Sequence, residues 1–120
     1  MNDTSPQGLS QLRDALRQFA AERDWDQFHS PKNLASALAV EAAELLERFQ
    51  WLTEDQSRKL GAEDLARVRE EMADVLNYLV RLADKLDVDL LEAARAKIIV
   101  NAAKYPVEKA RGSAKKYREL

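Results

Sequence analysis

From Ala62 to Lys104 the chain reads AEDLARVREEMADVLNYLVRLADKLDVDLLEAARAKIIVNAAK, with no glycine and no proline. Ala, Leu, Glu, Arg and Lys dominate it, the residues that cost least inside a helix. Val68, Met72, Val75, Leu79, Leu82 and Leu86 recur at spacings of three and four, the stripe by which an amphipathic helix faces a core. The stretch is too long for one ordinary helix. Asp87-Val88-Asp89 interrupts the stripe, and Asp89 with Glu92 makes a capping-box-like start for a new helix. The spacing therefore predicts one helix over about 62–86 and another over about 90–104, closed by Pro106.

Two further helices precede that pair. Leu9, Leu12, Leu16 and Phe19 form a stripe that fades near Arg23. Residues 24–30 have no helical period and read as a loop that runs into Pro31, with Ser30 placed to cap a second helix. Leu34, Leu38, Leu45, Phe49 and Leu52 carry that helix to the polar run from Thr53 to Gly61. No segment alternates with a period of two, so strands are not expected. Four helices with short connections predict an all-α four-helix bundle, antiparallel between neighbours. The 120 residues suffice for one domain, expected over 1–106, with residues 107–120 as a basic, flexible tail.

Composition removes many chemistries. With 46% apolar and 33% charged residues, and no long apolar run, the chain is expected to be soluble and not to enter a membrane. The start of the chain is polar and lacks a secretory pattern, which makes a cytoplasmic location the expectation. Cysteine is absent and His29 is the only histidine, so disulfides, thiolate catalysis and His- or Cys-rich metal sites are excluded. The net charge of −2 gives no general case for binding polymeric nucleic acid, yet it averages an acidic body of −6 over residues 1–103 and a basic end of +4 over residues 104–120. That end reads either as a solubilising tail or as Lys109, Arg111, Lys115, Lys116 and Arg118 folding over phosphates.

Four carboxylates sit where carboxylates are not expected. Glu41 and Glu44 lie three apart on the second predicted helix, and Glu71 and Asp74 three apart on the third, so each pair shares a face. At about 100° per residue, Glu41 falls inside the stripe of Leu34, Leu38 and Leu45, with Glu44 on its border. Glu71 and Asp74 flank the stripe of the third helix, while Glu47 and Glu70 point further out. Acidic residues turned toward a core need a counter-charge. With oxygen donors alone, the expected ion is Mg²⁺, with Mn²⁺ as a substitute. Magnesium commonly completes its shell with waters and phosphates, which makes a nucleoside triphosphate the natural partner.

Pro31-Lys32-Asn33-Leu34, the run from Glu41 to Trp51 (EAAELLERFQW) and the run from Glu70 to Tyr78 (EEMADVLNY) resemble the MazG-like all-α nucleoside triphosphate pyrophosphohydrolases, with the nearest likeness in the dCTP pyrophosphatase branch. The resemblance extends from Phe19 through Lys104-Tyr105-Pro106 to Leu120. It implies that Glu41, Glu44, Glu71 and Asp74 hold Mg²⁺ and that a nucleoside triphosphate, dCTP or a modified dCTP first, is cleaved to monophosphate and pyrophosphate. It implies a nucleotide site lined by Trp25, Asp26, Gln27, Phe28 and His29, by Trp51 and by Tyr78, and a homodimer or homotetramer. One departure stands out: related animal enzymes carry a histidine where the alignment places Leu16, which implies looser selectivity where that histidine reads base or sugar.

The chemistry that fits is metal-assisted phosphoanhydride cleavage, with Glu44 or Glu71 as the group that activates water. Trp25, Phe28, Trp51 and Tyr78 are either base-stacking groups or core aromatics. Lys97, Asn101 and Lys104 form a polar stripe on the fourth predicted helix, either solvated or contacting phosphate or sugar. The competing reading is a helical interaction module whose acidic groove binds a basic partner without catalysis. A response to Mg²⁺ separates the two, and dUTP or other nucleotides remain alternative substrates of the enzyme.

Overall fold

The computed structural model describes residues 5–120. Helices are α1 (Leu9–Glu22), α2 (Pro31–Glu47), α3 (Glu54–Ser57), α4 (Ala62–Lys85), α5 (Leu90–Lys104) and α6 (Val107–Ala110), and no strand occurs among the described residues. The all-α expectation holds. The chain divides into two compact units, Met1–Val88 and Asp89–Leu120.

In the first unit α2 and α4 make the most extensive helix contact, and α1 packs on α4. Leu34 at 1% exposure is the best-covered side chain, joined by Ala20, Val68, Val80 and Ala83. Ser30 caps α2 as expected: its hydroxyl accepts from the Asn33 backbone N–H at 3.1 Å, and Pro31 opens the helix. The second helix ends sooner than its apolar stripe suggests, at Glu47 instead of near Leu52. From Arg48 onward the backbone tightens, with Arg48, Phe49 and Leu52 each donating three residues back. The polar run after it is not wholly irregular either, because Thr53 and Gln56 form a full capping box that starts α3. The predicted loop at 24–30 likewise contains a single 3₁₀ turn, Asp26–Phe28.

Two aspartates close the long helices. Asp24 (φ 53°) follows α1 and Asp87 (φ 54°) follows α4, both left-handed. In each case the next backbone N–H reaches back across the turn, from Trp25 to the Ala20 carbonyl at 2.9 Å and from Val88 to the Ala83 carbonyl at 2.8 Å. This is the Schellman closure, with a short polar residue tolerated where glycine is usual. At Asp24 it turns the chain sharply, so that Trp25 and His29 come back over α1 and α4.

In the second unit Asp89 caps α5 by accepting from the Glu92 N–H at 3.0 Å, and α5 spans the residues expected. Residues 107–120, expected as a flexible tail, hold α6 and a 3₁₀ turn at Tyr117–Glu119. The Tyr117 ring meets the edge of Tyr105 at 6.1 Å, and the Lys104 ammonium lies 5.0 Å from the Tyr117 centroid. No described helix is long and apolar enough to cross a membrane.

The left-handed cap yields a stability prediction. Asp87→Val puts a β-branched side chain in that conformation and lowers the unfolding free energy by about 1–2 kcal/mol. Asp87→Gly removes the penalty and leaves stability unchanged or higher. Denaturant midpoints of the two variants check the order.

Candidate metal and nucleotide site

Helix spacing and helix packing together build the acidic cluster. Glu41 and Glu44 share a face of α2, Glu71 stands on the facing helix α4, and one carboxylate oxygen from each lies within 4.8 Å of the other two. All three side chains are half-buried. Glu41 Oε2 is buried and has no hydrogen-bond partner. Such an atom is costly unless a proton or a cation meets it.

The electrostatics follow from that position. Burial pushes the Glu41 carboxyl up to about 7, helped by its hydrogen bond with Glu44 and by the negative charges of Glu44, Asp74 and Glu71. Glu41, Glu44 and Glu71 together could hold a metal ion. Asp74 lies one turn beyond Glu71, exposed and outside the group of three, yet close enough to act on Glu41 as a like charge. Arg48, on the turn after α2, sets its guanidinium 3.2 Å from Glu71 Oε1 and brings a positive group to the cluster's edge. The donor set is entirely carboxylate oxygen, which suits a hard divalent ion and disfavours zinc or copper.

Asp74 also connects the cluster to a cavity of about 310 Å³. Leu16 and Phe19 of α1 supply its apolar wall, Trp25 and His29 its cover, and Asn77, Tyr78 and Arg81 of α4 the other side. Trp25 meets Phe19 edge-on, with centroids 5.8 Å apart, which holds the indole at the mouth. An apolar, aromatic recess with a few polar groups, beside an acidic cluster, suits a flat heterocycle joined to a charged chain.

The expected site residues separate into two groups. Trp25, His29, Asp74 and Tyr78 line the cavity, and Glu41, Glu44 and Glu71 converge beside it. Asp26 is drawn instead to Arg81 and Lys85, whose hydrogen bonds hold its carboxyl below the usual range. Gln27 is occupied by the Asp24 carbonyl and carboxylate, Phe28 is exposed, and Trp51 is 86% exposed at the end of the turn after α2. Lys97, Asn101 and Lys104 lie on α5 in the second unit, all exposed.

Arg48, Asn77 and Arg81 also stand near the site, beyond the residues that the sequence pattern singles out. Asn77 stands three residues after Asp74 and Arg81 three after Tyr78, so the i, i+3 extension of the carboxylate face would have placed both there. Arg48 reaches Glu71 across two helices, and no local pattern encodes that meeting.

Comparison with known proteins gives the chain a family. The chain is 46% identical over 114 residues to human dCTP pyrophosphatase 1, covering 93% of this chain and 67% of that protein. Identity to the Bos taurus dCTP pyrophosphatase 1 is 44% over the same length, with 93% and 68% covered. The crystal structure of a pyrophosphatase from Archaeoglobus fulgidus DSM 4304 superposes with a TM-score of 0.74 at 40% identity, covering 88% of this chain and 99% of that one. Residues 37–120, which include all four carboxylates, match the MazG-like family, and the chain belongs to that family.

Proposed function

We propose that this protein hydrolyses a nucleoside triphosphate to the monophosphate and pyrophosphate, with dCTP or a modified dCTP as substrate and Mg²⁺ as cofactor. The observation that carries the reading is the meeting of Glu41, Glu44 and Glu71 beside an aromatic-lined cavity. The similarity to dCTP pyrophosphatases supports the choice of base.

Glu41, Glu44, Glu71 and Asp74 would hold the metal, with Mn²⁺ as a substitute. A bound Mg²⁺ supplies charge neutralisation along the triphosphate and lowers the cost of the leaving pyrophosphate. Glu41, whose buried Oε2 has no partner, would give up its proton when a divalent ion is held there. Glu44 or Glu71 accepts the proton of the attacking water. Trp25 and Tyr78 border the recess that takes the base, and Asp74 stands between that recess and the acidic cluster. Arg48 is placed to exchange its grip on Glu71 for a phosphate oxygen.

The same reading includes a homo-oligomer, a dimer or a tetramer. Val40 and Leu46 on α2, Met72 and Leu76 on α4 and the run Ile98-Ile99-Val100 on α5 are all exposed, Ile99 at 73%. β-Branched residues are poor helix formers, and a helix carrying three in a row gains from a packed face. Large apolar side chains left exposed on each unit favour association with another copy of the chain.

Three outcomes test these statements. A panel of canonical and modified triphosphates with Mg²⁺ should release pyrophosphate, fastest from dCTP or a modified dCTP. Glu41→Gln should lower the rate by on the order of 10²–10³-fold or more, and an unaffected rate overturns the metal assignment. Light scattering should return two or four times 13.6 kDa, and a monomer mass at micromolar concentration overturns the oligomer.

Glu41 also sets a pH dependence without metal. Its folded carboxyl titrates near 7 against about 4.5 in the unfolded chain, so between those values the folded state holds the extra proton and stability falls as pH rises. His29, whose value is lowered by burial and by Arg81, acts with the opposite sign below about 6.5. The difference between wild type and Glu41→Gln isolates Glu41: the variant should match or exceed wild type at pH 8 and lose the advantage toward pH 5. Mg²⁺ should raise the melting temperature of wild type more at pH 8 than at pH 6, because the metal competes with that proton.

A further inference from the structure

Arg81 is the one buried charged residue among those described, with a side chain only 6% exposed. Its Nε lies 3.3 Å and its Nη2 3.1 Å from Nδ1 of His29. A guanidinium is always protonated and carries donors only, so the atom it faces must accept. Nδ1 therefore keeps its lone pair, and the imidazole proton sits on Nε2. A ring turned over would present a C–H to a buried guanidinium and leave those donors unmet. A protonated ring would set donor against donor and cation against cation.

Arg81 does not depend on His29 for its own position. Nη2 donates to Asp26 Oδ1 at 3.0 Å, and Nη1 reaches Asp84 Oδ2 at 3.5 Å. Asp84 is gripped in turn by the fork of Arg17 from α1, with Nε at 2.7 Å. Lys85 shares Asp26. The guanidinium is thus held from two sides by carboxylates on different segments, and the direction it presents to His29 is set by the fold.

The His29 ring lines the 310 Å³ cavity with Trp25, Asn77 and Tyr78. With Nδ1 occupied, the polar atom left to a ligand is Nε2–H. We propose that Arg81 is a positioning residue of the nucleotide site: it fixes His29 as the Nε2–H tautomer, so that the ring presents a single donor that selects a hydrogen-bond acceptor of the bound nucleotide. The pairing matters because a free histidine can offer a donor or an acceptor at the same atom, and so accepts either partner. A ring locked by an arginine cannot. The inference rests on the nucleotide reading for its ligand, but the tautomer does not.

The single histidine makes the test direct. Nitrogen-15 NMR of histidine-labelled protein should show one form, with Nδ1 bare and hydrogen-bonded and Nε2 protonated. Arg81→Met, of similar length without donors, should bring a second tautomer into exchange, and Arg81→Lys should restore part of the wild-type signature. Wild-type protein with its proton on Nδ1 overturns the proposal without any variant, as does an unchanged spectrum in a folded Arg81→Met. Arg81→Met and His29→Phe should each raise KM for the best triphosphate by about three- to tenfold, more than they change kcat. Calorimetry on His29→Phe then locates the acceptor: weakened deoxycytidine binding places it on the nucleoside, weakened tripolyphosphate binding places it on the phosphate chain, and no loss of either overturns the ligand half. Should wild type cleave no triphosphate yet show the expected NMR signature, the nucleotide reading fails and the Arg81–His29 device stands.

Discussion

Three carboxylates brought within 4.8 Å of one another between packed helices are the constraint on which the rest of this structure depends. Like charges so close repel, and Glu41 adds a buried oxygen with no partner. Stable packing of α2 on α4 must accommodate that cost. Without metal it is reduced by a proton on Glu41, whose carboxyl is pushed up to about 7. The arrangement leaves little to gain in a purely structural role, since apolar residues at the same positions would pack with no such penalty. It makes sense as a holder for a divalent ion.

The cavity beside it is organised by a second charged system with the opposite logic. Arg17, Asp84, Arg81, Asp26 and Lys85 alternate in sign, and each finds a partner. Asp84 and Asp26 are held below the usual carboxylate range by hydrogen bonds from Arg17 and from Lys85, respectively. This network ties α1 and the 24–30 segment to α4, so the walls of the cavity are braced where the acidic cluster is frustrated. One charge system is satisfied within the fold and the other is not.

Much of this was legible in the chain. The absence of glycine and proline from Ala62 to Lys104 with a break at Asp87-Val88-Asp89 located α4 and α5 nearly to the residue. The angular position of Glu41 inside the stripe of Leu34 and Leu38 anticipated its burial. The apolar stripe overruns the end of α2, because such a stripe continues through tight turns as readily as through a helix, and Phe49 is half-buried in the turn. The Thr53 capping box is present in the sequence as Thr-x-x-Gln, but the helix it starts is one turn long, too short to show an apolar period.

What the sequence determined by itself is local: helical periods, caps, and which carboxylates share a face, since all of these arise from residues within four positions of one another. Which partners those faces meet was decided only by the tertiary structure. Arg81 and His29 are far apart in the chain, as are Arg48 and Glu71, and each pair forms because helix packing and the left-handed turn at Asp24 bring segments together. A charge on a helix flank looks solvated until its neighbour is known. Packing made Arg81 a buried anchor, and it left Trp51, the same kind of aromatic candidate as Trp25, standing in the open.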